Sequence, residues 1–174
     1  MTPGEATLLG SILSNSVREM DTALLHVIEV RLRPAGLLTI ARLNLGVRSW
    51  RQLEGRCFEF STEPRRRFDE GEIVERYEVD GALQLGEGLE LRRVTRVELG
   101  SFANDVLSAT VELAEEPEPL QLDLSLGPVT VYGDMGLCDP PGASAAAELA
   151  ACFLDLDDYE LELDGELVQL HPRF

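Results

Sequence analysis

Along most of the chain, apolar and polar residues take turns. From about residue 24, His26, Ile28, Val30 and Leu32 alternate with Val27, Glu29, Arg31 and Arg33. A period of two is what a strand with one buried face requires. Pro34-Ala35-Gly36 supplies a turn, and residues 37–45 return as the second strand of a hairpin. A short strand is predicted at 56–61, then a loop over Glu63-Pro64-Arg65-Arg66-Arg67. Asp80-Gly81 marks a second hairpin within 72–85, in a register that sets Tyr77 opposite Leu83. Residues 89–99 make a long strand, with Leu91, Thr95, Val97 and Leu99 on one face and Arg92, Val94, Arg96 and Glu98 on the other. In 106–113, Leu107, Ala109, Val111 and Leu113 point inward. The clearest alternation sets Leu120, Leu122, Leu124 and Leu126 against Gln121, Asp123 and Ser125, and Gly127-Pro128 reads as a turn into 129–132. The last hairpin turns at Asp164-Gly165 and pairs Leu161 with Val168 and Tyr159 with Leu170.

Two stretches break this rhythm. Over residues 5–20, Leu9, Ile12, Leu13, Val17 and Met20 recur at three-to-four spacing, which predicts an N-terminal helix. Ser144 is placed to cap a short Ala-rich helix over 145–153, with Leu149, Cys152 and Phe153 as its packing residues. Neither a repeat nor a dividing linker is visible. The expected fold is therefore mainly β: an antiparallel sandwich or partly closed barrel of about ten short strands with two helices. It forms a single domain over 1–174, with a helix at 5–20, a β core at 24–132, and a short helix and C-terminal hairpin at 144–171.

Composition fits this picture. Of 174 residues 44% are hydrophobic, enough for a core, so global disorder is not expected. Only 6% are aromatic against 30 Leu, so the core is aliphatic. No run approaches the roughly 20 apolar residues of a membrane span. The start Met1-Thr2-Pro3-Gly4-Glu5 lacks the basic region of a signal peptide, which predicts a cytoplasmic protein. Cys57, Cys138 and Cys152 are odd in number and far apart, and read as reduced, mostly buried thiols.

Charge changes the picture more. All 15 basic residues are Arg, against 32 acids, for a net charge of −17. Without Lys there is no Schiff-base or P-loop lysine chemistry. A surface this acidic disfavours nucleic acid and anionic membranes as partners. The charge is also uneven. Residues 1–100 hold 14 Arg and 16 acids, whereas residues 101–174 hold only Arg173 against 16 acids.

Candidate catalytic or metal chemistry is thin. Asp155-x-Asp157 opens like a calcium-binding loop, but Glu160 stands where such a loop needs Gly, and Glu166 falls on a predicted strand. Two histidines without Cys-x-x-Cys spacing give no transition-metal pattern. Ser144 lacks the second Gly of a nucleophile elbow. His26 could meet Cys57 in space, but it shares the face of Ile28 and Val30 and reads as a core histidine; His171 is expected at the surface. No pair of carboxylates is marked for glycosidase-type acid–base work. Arg65, Arg66, Arg67, Arg92, Arg93 and Arg96 form either a basic patch or cross-strand ion pairs with Glu72, Glu75 and Glu78. No metal, cofactor or catalytic residue is assigned.

The acidic face is the sharper feature. Glu115, Glu116, Glu118, Asp123, Asp155, Asp157, Asp158, Glu160 and Glu162 could form one negative field that speeds association with a basic protein. Leu167 and Tyr132 are the candidate apolar anchors. The expectation is a non-catalytic binding protein, in its most concrete form an immunity-type inhibitor of a basic toxin or enzyme, by class analogy with small acidic bacterial proteins. The alternatives are a small-molecule-binding β-barrel, or an enzyme built on one, and a structural subunit that oligomerises through a strand edge. General acidity for solubility or for high salt is the bland explanation of the charge.

Overall fold

The N-terminal segment is a strand, not a helix. A computed structural model describes residues 2–15, 20–69, 72–76, 79–135, 140–164 and 166–174. In β1 (Thr2–Asn15), Ala6, Leu8, Gly10 and Ile12 alternate as the buried set, and Leu9 and Leu13 fall on the other face. Val17 and the side chain of Met20 lie outside the described residues. Gly4, Gly10, Ser11, Ser14 and Asn15 are poor helix formers. Gly10 also has a packing reason to lack a side chain, since a Cβ there would stand 2.6 Å from Val129 Cγ2.

The chain continues as β2 (Met20–Arg33), β3 (Leu37–Leu43), a 3-10 turn at Trp50–Leu53, β4 (Cys57–Glu59), β5 (Arg65–Asp69), β6 (Glu72–Arg76), β7 (Asp80–Leu85), β8 (Gly88–Ala103), β9 (Val106–Leu113) and β10 (Leu120–Asp134). Helix α1 (Ala143–Phe153), a 3-10 turn at Leu156–Asp158, β11 (Tyr159–Asp164) and β12 (Leu167–Pro172) complete it. The fold is mainly β, antiparallel, with one α-helix among the described residues, and that helix is C-terminal. Hydrogen bonding orders ten strands as β1-β2-β3-β7-β8-β9-β10-β12-β11 with β4 joined to β8; β1 also pairs β10, and β5 and β6 form a separate two-stranded sheet.

Several expectations are corrected here. Residues 65–67 belong to β5, not a loop; β6 pairs with β5. Asp80-Gly81 lies inside β7, which runs between β3 and β8, so Leu83 faces Leu38 and Glu90; Tyr77 lies outside the described residues. The turn falls instead at residues 86–87, where Gly86 has φ +59°. In β8 the register slips between Val94 and Arg96. The bulge at Thr95 lets Val94 join Val97 and Leu99 inside while Leu91 is left exposed, overturning the assignment of Val94 and Leu91. Gly127-Pro128 does not turn the chain: β10 runs through it, changing partner from β9 at 120–125 to β12 at 129–131. Proline lacks an N–H, and the changeover is where a missing donor is tolerated. Helix α1 begins after Gly142 with no side-chain cap, so Ser144 is not its cap. Its buried residues are Ala146 and Ala150, and Cys152 is exposed. In the last hairpin Asp164 pairs with Leu167, Leu161 with Leu170 and Tyr159 with Pro172, and Gly165 lies outside the described residues. That shift of two residues leaves every side chain on its expected face.

Contacts group the chain into two compact units. One comprises Met1–Thr7, Val27–Leu43 and Glu54–Ser125; the other comprises Leu8–His26, Asn44–Leu53 and Leu126–Phe174. In the first, Ile40, Val97, Leu99, Leu107 and Leu124 are buried, from β3, β8, β9 and β10. In the second, Ile12, Val131, Leu154, Val168 and Leu170 are buried, and α1 packs on β12. Each fully buried Leu or Ile of this kind is worth roughly 1.5–3 kcal/mol over an exposed one. Among the described residues no helix is long and apolar enough to cross a membrane.

Candidate functional site

Asp155, Asp157, Asp158, Glu160 and Glu162 sit on a segment that the fold fixes firmly. Residues 155–164 leave α1, pass through the second 3-10 turn and enter β11. Arg48 ties the helix end to this path. Its guanidinium donates to the carbonyls of Cys152 at 2.8 Å and Ala151 at 2.9 Å, satisfying groups a helix leaves without intrahelical partners. The Asp155 N–H donates to the Arg48 carbonyl at 2.7 Å.

Asp158 is the centre of the arrangement. Ser49 Oγ donates to its Oδ2, and Arg51 Nε donates to its Oδ1 at 2.9 Å. Its carbonyl accepts from Trp50 Nε1 at 3.2 Å and from the Arg173 N–H at 2.9 Å. Arg51 also donates to the Arg173 carbonyl at 3.2 Å and lies 4.3 Å over the Trp50 ring. Trp50 in turn meets Phe174, with ring centroids 4.9 Å apart. The Ser49 hydroxyl, then the Arg51 guanidinium, hold the Asp158 carboxyl below the usual aspartate range. Next to it, burial pushes the Tyr159 phenol up to about 12. These residues pin the 3-10 turn at Trp50–Leu53 and the C-terminus against the acidic segment. None of this was readable locally, because Ser49 and Asp158 are 109 positions apart.

The predicted acidic residues thus fall into two kinds. Asp158 is turned inward and is structural. Asp155, Asp157, Glu160 and Glu162 are exposed, and Glu162 lies 3.4 Å from His171 Nε2. In the first unit, Glu115 accepts from the Arg93 N–H at 3.0 Å and from Arg93 Nε at 2.5 Å. Burial alone would raise the Glu115 pKa, but these bonds outweigh it and hold it low. Glu116 stands 3.9 Å from Arg92. Both residues fasten the 114–119 loop to β8, whereas Glu118 and Asp123 are exposed. Asp123 lines a polar groove of about 220 Å³ with Glu98, Ser108, Thr110 and Gln121.

Among the described side chains, the arginines of the expected patch are matched by charge. Arg92 pairs with Glu90 at 2.5 Å, and Arg96 with Glu98 at 2.7 Å and Glu112 at 3.4 Å. These partners differ from the expected Glu72, Glu75 and Glu78, whose side chains lie outside the described residues, as do those of Arg65, Arg66 and Arg67. His26 is buried. Cys57 is exposed and accepts from Arg96 Nε at 3.1 Å, so neither it nor Cys152 is a buried thiol; Cys138 lies outside the described residues. Among the described residues no three His, Cys, Asp or Glu stand together so as to hold a metal ion. Of the proposed anchors, Tyr132 is 38% exposed and Leu167 half-buried. The pattern missed Leu161 and Leu163, which are 42% and 59% exposed on β11.

Comparisons of the chain with protein-family models, with curated proteins and with solved structures each return no match.

Proposed function

We propose that this chain is a binding protein that recognises a basic protein partner through the carboxylates of residues 155–162. One observation carries the reading. Asp155, Asp157, Glu160 and Glu162 are all exposed on a segment anchored by Arg48, Ser49, Trp50 and Arg51, so the charges are presented on a fixed backbone. A preorganised charged surface speeds encounter with an oppositely charged partner and disfavours like-charged ones. An immunity-type inhibitor that covers the active site of a basic enzyme is the most concrete form of this activity. The cavity lined by Leu32, Leu38, Leu83, Leu113 and Leu120, with Arg92 and Glu116, measures only about 50 Å³, too small to hold an apolar ligand.

The test begins with capture of partners on the immobilised chain at low and high salt. The captured protein is expected to be basic, and its association rate to fall steeply with salt. Charge reversal at Asp155, Asp157 and Glu160 should slow association at least tenfold, with Asp158 left intact because it holds the fold. An unchanged rate in that variant would sink the proposal.

A further inference from the structure

We propose that β11 is an acceptor edge, to which a partner adds an extended strand of alternating basic and apolar residues. The inference rests on the acidic-recognition reading above and specifies how it works. β11 ends the ten-stranded order, and among the described residues it pairs with β12 alone.

Backbone parity shows which groups the edge offers. The Arg173 N–H donates to the Asp158 carbonyl at 2.9 Å, so residue 158 aims its carbonyl at the neighbouring strand. Antiparallel ladders alternate, and Glu160, Glu162 and Asp164 therefore face β12 with their N–H and C=O groups. Leu161 and Leu163 aim theirs outward. The Tyr159 N–H is already taken by the Leu156 carbonyl. The edge thus offers the donors and acceptors of two residues, Leu161 and Leu163.

Side chains choose the occupant. Leu161 and Leu163 share a face with buried Tyr159, Val168 and Leu170, yet remain 42% and 59% exposed because the sheet stops there. An added strand would cover them with its own apolar residues. The opposite face carries Glu160, Glu162 and Asp164, all exposed. A second copy of this chain is a poor occupant. Any antiparallel register that pairs the outward groups of Leu161 and Leu163 with those of a copy sets acid opposite acid, and like charges directly opposite destabilise a pair. Arg or Lys at alternate positions of a foreign strand would meet Glu160 and Glu162 instead. This is strand addition with main-chain bonds for affinity and alternate side chains for specificity.

The experiment uses the full chain and an eight-residue peptide of alternating Val and Arg, beside the same peptide N-methylated at alternate amides. The methylated peptide keeps charge and side chains but loses ladder donors. The expected result is at least tenfold weaker binding of the methylated peptide, with amide exchange slowed at Leu161 and Leu163 by the unmodified one. Leu161→Pro, which removes an outward N–H and leaves the β12 ladder intact, should weaken binding by a similar factor. The methylated peptide keeps the test decisive if that variant fails to fold. Equal binding of both peptides, with a loss on Glu160→Gln/Glu162→Gln, would overturn strand addition and leave acidic recognition standing. Equal binding with no loss on those substitutions would overturn both.

Discussion

Asp158 shows how a residue can look like surface charge in the sequence and act as a fastener in the fold. It sits within an acidic run, yet its two carboxylate oxygens accept from Ser49 and Arg51. Its pKa is held low by the Ser49 hydroxyl and then the Arg51 guanidinium, so its contribution to stability is present at neutral pH and lost as pH falls through the depressed value. Asp158→Asn is therefore expected to melt well below the parent at pH 7. The gap should begin to narrow as the pH falls through the ordinary aspartate value of about 3.9 and close only below the depressed one. Melting curves of both proteins across that range check it, with Asp157→Asn as the exposed control. Tyr159 titrates in the opposite sense. Burial raises its phenol to about 12, so its contribution is complete below the ordinary value of about 10 and is lost as pH rises toward 12. Phenolate absorbance should show a late-titrating component that is missing in Tyr159→Phe.

At the scale of elements, β1 is the most exposed to test. Helical spacing groups Leu9 with Ile12 and Leu13, while the strand buries Leu8 and leaves Leu9 on the other face. Leu8→Ala should cost about 2–5 kcal/mol, and Leu9→Ala clearly less. Denaturant titration decides, since a helix with the predicted stripe would reverse the order. Gly10→Ala should cost about 1–3 kcal/mol, because its Cβ would collide with Val129. Strands with one buried face and no interruption, such as β9 and residues 120–125 of β10, were fully legible from period two. Legibility failed where a local signal had a second physical use. Asp80-Gly81 has turn chemistry but opens strand β7, its backbone paired with β3 and β8. The bulge at Thr95 inverts parity in β8, and no single-residue signal announces a bulge. In the candidate site, the exposure of Glu160 and Glu162 was legible from the two-residue period of the last hairpin. The Ser49–Asp158 bond and the open edge of β11 were not, because both depend on pairings distant in sequence.

At the scale of the whole molecule, the question is whether the net charge of −17 acts as a diffuse field or through one place. In the first unit, Arg92, Arg93 and Arg96 are matched by Glu90, Glu115, Glu98 and Glu112. Residues 101–174 contain a single Arg, Arg173, so local neutralisation is scarcer there. Equal charge changes at two places separate the alternatives. One variant carries Asp155→Asn, Asp157→Asn and Glu160→Gln; the other carries Glu87→Gln, Glu118→Gln and Asp123→Asn, all at exposed positions. Both remove three negative charges. A diffuse field would slow association of the alternating Val–Arg peptide equally in both variants and leave dissociation alone, since rim charges act mainly on the on-rate. Recognition on residues 155–162 predicts an asymmetry. The first variant should associate more slowly and also dissociate faster, while the second differs from the parent only in a modest, salt-sensitive on-rate. Stopped-flow kinetics at low salt and near 0.1 M, where the screening length is about 10 Å, resolves the two. Long-range steering should fade with salt in both variants, whereas the faster dissociation of the first should persist, because it arises from contacts shorter than that length.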